Sequence, residues 1–179
     1  MGSSSFSKIF IFSVVSFFLI SNAYADVSYE LVNQVCSKVD KVDFCLEVLK
    51  SDGRSEFAKD VTTLTRVAVD ASIQNSTNTR DNFQSVESGP PEVLQSLKDC
   101  VDAYNNVIAI LRVCMSEEDC SLTGYDIHQA GDEVRRCQAV IDSNGAHESF
   151  ITSSNNVVQD FCWLSESLSN ISCKNENKF

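Results

Sequence analysis

The chain has 179 residues, 43% of them hydrophobic, with 14 Lys+Arg against 25 Asp+Glu for a formal charge of −11. That balance excludes the clustered basic surface that nucleic acid rewards through counterion release, and it suits a basic partner instead. Only 6 Gly and 2 Pro leave little material for the tight turns of a sandwich or barrel, so one all-α domain is expected.

Residues 1–25 read as a cleaved secretory signal. Lys8 supplies a small positive start, residues 9–20 form an apolar run, and Ala23-Tyr24-Ala25 is an A-x-A cleavage site. The run is too short to span a bilayer, which takes about 20 residues. Cleavage leaves residues 26–179, removes Lys8, and predicts a secreted product with no membrane attachment. All 8 Cys lie in this mature part, and an even number in an oxidising compartment implies up to four disulfides. There is no C-x-x-C, and His128 and His147 are not at ligand spacing from a cysteine pair, so neither a metal nor a cofactor is expected.

Residues 27–36 and 40–49 are short apolar segments joined by a turn, a helical hairpin within 26–53 whose arms a Cys36–Cys45 disulfide would pin. A four-helix bundle is expected over 54–173. Its first helix, about 55–87, carries Phe57, Val61, Leu64, Ala68, Ala71, Phe83 and Val86 at three- and four-residue steps, with Ser55 or Asp52 as its cap. The polar stretch 75–82 predicts a kink in it. Ser88-Gly89-Pro90-Pro91 stops this helix and starts the next, whose stripe is Leu94, Leu97, Val101, Tyr104, Ile108 and Leu111. An acidic connection, residues 115–119, leads to a helix over about 122–141 with Tyr125, Ala130, Val134, Cys137 and Ile141 facing inward. The last helix, about 147–170, presents Phe150, Ser154, Val157, Phe161, Leu164, Leu168 and Ile171.

Four such helices with short loops form an up-and-down bundle. Antiparallel packing then places Cys100 level with Cys137, predicting a second disulfide. Cys114, Cys120, Cys162 and Cys173 share one end of the bundle. Cys162 and Cys173 lie about 16 Å apart in one straight helix and cannot bond there. Bonds between the pair Cys114, Cys120 and the pair Cys162, Cys173 are therefore favoured, with local Cys114–Cys120 and Cys162–Cys173 as the rival if the last helix breaks near Asn170.

Val35-Cys36, Asp43-Phe44-Cys45 and Leu49-Lys50-Ser51-Asp52-Gly53-Arg54-Ser55 resemble the opening of the plant invertase and pectin methylesterase inhibitor family. Leu97-Lys98-Asp99-Cys100 with Tyr104 resembles the family's Leu-x-Asp-Cys-x-x-x-Tyr helix, and residues 130–137 resemble the helix ending in its fourth cysteine. The resemblance implies a hairpin-plus-bundle fold and a monomeric inhibitor, not an enzyme. Such an inhibitor docks one-to-one on a pectin methylesterase or, as the alternative, an acid invertase, in the cell wall or apoplast or in the vacuole. A non-inhibitory helical binding protein is the remaining reading. In invertase inhibitors a Pro-Lys-Phe loop before the second-last helix reaches the sucrose site; the counterpart here, residues 114–120, is acidic and lacks the Lys-Phe pair. Ser51 to Ser55 and Gly131-Asp132 are the stretches that look invertase-inhibitor-like.

The acidic residues beside that region, Glu117, Glu118, Asp119, Asp126 and Asp132, are the candidate partner-binding residues. No Gly-rich phosphate loop or nucleophile setting is present, and an acidic helical face is ordinarily solvated. Asn75-Ser76-Thr77 and Asn170-Ile171-Ser172 are glycosylation sequons, with Asn75 the favoured site.

Overall fold

A computed structural model describes residues 29–146 and 148–176; the signal expected over 1–25, and His147, lie outside the described residues. Helices α1 (Glu30–Cys36) and α2 (Val42–Lys50) form the hairpin, and a 3₁₀ turn (Gly53–Phe57) leads into the bundle. The bundle helices are α3 (Val61–Gln84), α4 (Pro91–Cys114), α5 (Cys120–Ser143) and α6 (Ser149–Glu176). Each packs on the next, and α6 closes back on α3, which is the expected up-and-down bundle with an N-terminal hairpin.

The start of α3 lies later than the apolar stripe suggests. Asp52 caps the 3₁₀ turn by accepting from the Arg54 N–H, and Asp60 caps α3 by accepting from the Thr63 N–H at 2.7 Å. Phe57 therefore falls outside the stripe and is exposed. The expected kink at 75–82 does not occur: α3 runs unbroken from Val61 to Gln84, and two polar side chains of this stretch bond back to their own helix. Asn75 Nδ2 donates to the Ala71 carbonyl at 2.9 Å and Thr77 Oγ1 to that of Ile73 at 2.8 Å, so their polarity is satisfied without opening the helix. Gly145, at φ +66°, ends α5: the Ala146 N–H reaches the Ile141 carbonyl at 3.0 Å and the Gly145 N–H that of Asp142, a Schellman closure needing a left-handed residue.

Two apolar clusters result. The main core joins Phe83, Leu97, Tyr104, Leu111, Ile127, Val134, Ile141 and Ile151, all at most 2% exposed. A second cluster seats Val32, Val35 and Leu49 of the hairpin on Leu64 and Ala68 of α3 and Leu164 and Leu168 of α6. Phe44 meets Phe161 edge-on at 5.1 Å, fixing α2 against α6. Inside the main core Tyr104 Oη donates to Asn155 Oδ1 at 2.9 Å, and Asn155 Nδ2 to Gln138 Oε1 at 2.9 Å, so the buried phenol is satisfied.

Cys36 and Cys45 are bonded, with Cα atoms 5.5 Å apart, and so are Cys100 and Cys137, at 4.6 Å. Cys173 is also in a disulfide. Cys114 and Cys162 differ from both pairings considered for them: each is a buried free thiol. The reason is their level. Cys114 Sγ lies beside the Thr123 carbonyl and Cys162 beside Gly131, and eight residues of α5 separate those neighbours by about 12 Å. Nor does α6 break near Asn170; it runs on through Glu176.

Candidate functional site

The α4–α5 corner is built by two caps. Asp119 Oδ1 accepts from the Ser121 and Leu122 N–H groups at 2.8 and 3.3 Å, starting α5. Glu117 Oε1 accepts from the N–H groups of Glu118 and Asp119 at 3.1 and 3.2 Å, folding the acidic connection onto itself. The corner leans on the rest of the bundle, where Glu117 and Glu118 share a crevice with Thr62 and Arg66 of α3 and Ser169 and Ser172 of α6. Glu117 is thus anchored to the loop's own backbone and Asp119 to the first turn of α5, while Glu118 is exposed.

The other two candidates part company. Asp126 is half-buried beside Cys114, whose thiol is pushed up to about 12 by burial first and by the Asp126 charge second. Asp132 lies a turn and a half further along α5 and faces α6, ion-paired to Arg135 with His128 Nε2 at 4.0 Å. The next acid, Glu133, is also matched, to Arg136 at 2.6 Å and to the Asn106 amide at 3.1 Å. Glu117, Glu118, Asp119 and Asp126 gather at the corner; Asp132 does not join them.

Three exposed apolar residues, two of them overlooked in the sequence and Tyr125 misplaced, complete this corner. Val113 is 53% exposed, Leu122 53% and Tyr125 62%, on the last turn of α4 and the first turns of α5. Tyr125 was expected in the core. The buried side chains of α5 are Thr123, Ile127, Ala130, Val134, Cys137 and Ile141, a three-and-four spacing that passes through neither 122 nor 125. That departure was the available signal. Apolar anchors flanked by carboxylates on a hydrogen-bonded turn make a surface suited to a macromolecule; among the described residues no group of three His, Cys, Asp or Glu could hold a metal ion.

The two stretches resembling invertase inhibitors are engaged internally. Arg54 Nη2 bridges Asp52 at 2.5 Å and Asp70 at 2.6 Å, tying the 3₁₀ turn to α3, and these partners hold the guanidinium charged while Asp52 is held below the usual carboxylate range. The Gly131 carbonyl accepts from Gln159 Nε2 at 2.6 Å, and Asp132 is paired as described.

The family model for plant invertase/pectin methylesterase inhibitors matches residues 30–174. The chain belongs to this family. Two solved structures share its fold. A mutant form A of a pectin methylesterase inhibitor from Arabidopsis has 20% identity and a TM-score of 0.64, over 77% of this chain and 94% of that one. A pectin methylesterase inhibitor from Arabidopsis thaliana has 18% identity and a TM-score of 0.58, over 79% and 95%. A comparison with curated protein sequences finds no match. Family membership makes the chain a proteinaceous enzyme inhibitor.

Proposed function

We propose that this inhibitor is secreted to the cell wall and binds a plant pectin methylesterase one-to-one, closing the substrate cleft. The α4–α5 corner carries the reading: it is anionic, internally hydrogen-bonded and bears the exposed apolar side chains of Leu122 and Tyr125. A basic enzyme surface meets complementary charge there, which speeds association, while an aromatic and an aliphatic anchor supply the buried contacts that hold a complex. The same corner stands where the resemblance puts a Lys-Phe pair in invertase inhibitors, and residues 115–119 offer neither a cation nor an aromatic ring. With Arg54 and Asp132 committed to internal ion pairs, the features that favoured invertase have structural uses instead. The leader read over 1–25 and the buried disulfides suit an oxidising, extracellular setting.

The test is a titration of the purified chain into pectin methylesterases and acid invertases, with residual activity as the readout. A sharp endpoint near one inhibitor per pectin methylesterase, with invertase activity unchanged, is expected. Inhibition of invertase alone would reverse the assignment.

A further inference from the structure

Beside α2, α3 and α6 lies a depression of about 400 Å³ that the inhibitory surface does not use. Its floor is apolar: Phe44 of α2, Phe161 of α6 and the 48%-exposed Val157. On its wall stands Asn75, the first residue of Asn75-Ser76-Thr77, half-buried, one N–H of its amide donating to the Ala71 carbonyl at 2.9 Å. The hairpin seats on the bundle through Val32, Val35 and Leu49, and this depression, lined by Phe44 and Val48 of α2, Ala71 and Asn75 of α3 and Phe161 of α6, lies along that seam. We propose that Asn75 carries an N-linked glycan whose first N-acetylglucosamine packs into the depression and braces α2 against α3 and α6.

The occupant follows from the chemistry at the rim. A sequon places an N-acetylglucosamine at Asn75 and nowhere else along the groove. The C–H face and acetamido methyl of that sugar pack on the faces and edges of aromatic rings, and Phe44 and Phe161 supply two, held edge-to-face at 5.1 Å. The polar rim residues Glu47 and Gln74 stand where sugar hydroxyls need partners. The geometry also tolerates the bond. In the transfer step the Asn75 amide nitrogen attacks the anomeric carbon of a polyprenyl-diphosphate-linked oligosaccharide. The N–C1 bond forms, the C1–O bond to the diphosphate breaks, one amide proton is lost to the transferase, and the polyprenyl diphosphate leaves without redox change. The second amide N–H remains to keep its bond to Ala71. Because the sequon is helical in the folded chain, transfer precedes folding, and the sugar is present when the hairpin docks.

The inference rests on export of the chain, not on the identity of the inhibited enzyme, and its readouts are mass and melting temperature. Residues 26–179 are produced behind a host export leader in cells that make only high-mannose glycans, and endoglycosidase H trims these to a single N-acetylglucosamine. Glycopeptide mapping is expected to find Asn75 occupied, and the trimmed protein to melt with the untrimmed one. Thr77→Ala, which abolishes the sequon but keeps Asn75, is expected to lower Tm by about 2 to 4 °C, whereas Thr77→Ser keeps both glycan and Tm. The lost Thr77 hydroxyl bond is corrected for by making parent and T77A without glycans in an oxidising bacterial compartment and subtracting their difference. An empty Asn75 in the exported protein overturns the proposal, as does a corrected T77A that melts with the trimmed form.

Discussion

The two disulfides should contribute unequally, and the loop each closes sets the ratio. Cys100 and Cys137 are 37 residues apart and Cys36 and Cys45 only 9. In the chain-entropy model the larger loop restricts the unfolded ensemble more, giving about 4 kcal/mol for Cys100–Cys137 and about 2.5 for Cys36–Cys45. All four sulfurs are wholly buried, so replacing either pair by alanines leaves a comparable cavity cost and the difference between the pairs survives. Against a total stability of about 5 to 15 kcal/mol, loss of the bundle disulfide is severe. C100A/C137A and C36A/C45A are compared with the parent by urea unfolding followed by far-UV circular dichroism. The first pair should lose about 4 kcal/mol with a steeper urea dependence, since its unfolded chain expands further; the second should lose about 2.5 with a smaller change in slope. A hairpin variant as destabilised as the bundle variant would refute the loop-length argument.

Asp60 caps α3 as a carboxylate, its pKa held below the usual value mainly by the Thr63 N–H. Asp60→Ala should cost about 1 kcal/mol at pH 7, seen as a lower urea midpoint. Because the folded value is depressed, the cap's charge-dependent part is present above the unfolded value near 3.9 and disappears as pH falls through the folded one, so the gap between parent and variant should narrow below about pH 4. A gap of constant size from pH 7 to pH 3 would show that charge has no part in the cap. The Cys114 and Cys162 thiols are each pushed up to about 12, chiefly by burial. Iodoacetamide at pH 8 should leave both unmodified in the native protein and alkylate both in urea without reductant; native labelling at the rate of an exposed thiol would contradict their placement.

Much of the bundle was legible because core-facing residues repeat at helical spacing: Leu97, Tyr104 and Leu111 of α4, and Ala130, Val134 and Ile141 of α5, are buried as their stripes imply. The polar run of α3 misled, since helix-breaking tendency in Asn75 and Thr77 is cancelled once each finds its own i−4 carbonyl, which composition does not reveal. Tyr125 misled for the opposite reason. An aromatic is ordinarily buried, and only its place off the α5 stripe marks it as surface. The acids around the corner were visible in the chain, but not that Glu117 binds its own loop's backbone, that Asp119 caps α5 or that Asp132 pairs with Arg135. Those uses depend on turn geometry and rotamers, which residue type alone leaves open.

The claim that this inhibitor meets its enzyme through the α4–α5 corner is tested most directly by measuring the inhibition constant of Leu122→Ala/Tyr125→Ala against a basic pectin methylesterase. Both side chains are more than half exposed, so folding and Tm should be unchanged. If they are the central anchors, their removal costs about 2 kcal/mol or more, and the inhibition constant should rise at least about 30-fold. A double variant that folds normally and inhibits as tightly as the parent would place the docking face elsewhere on the bundle.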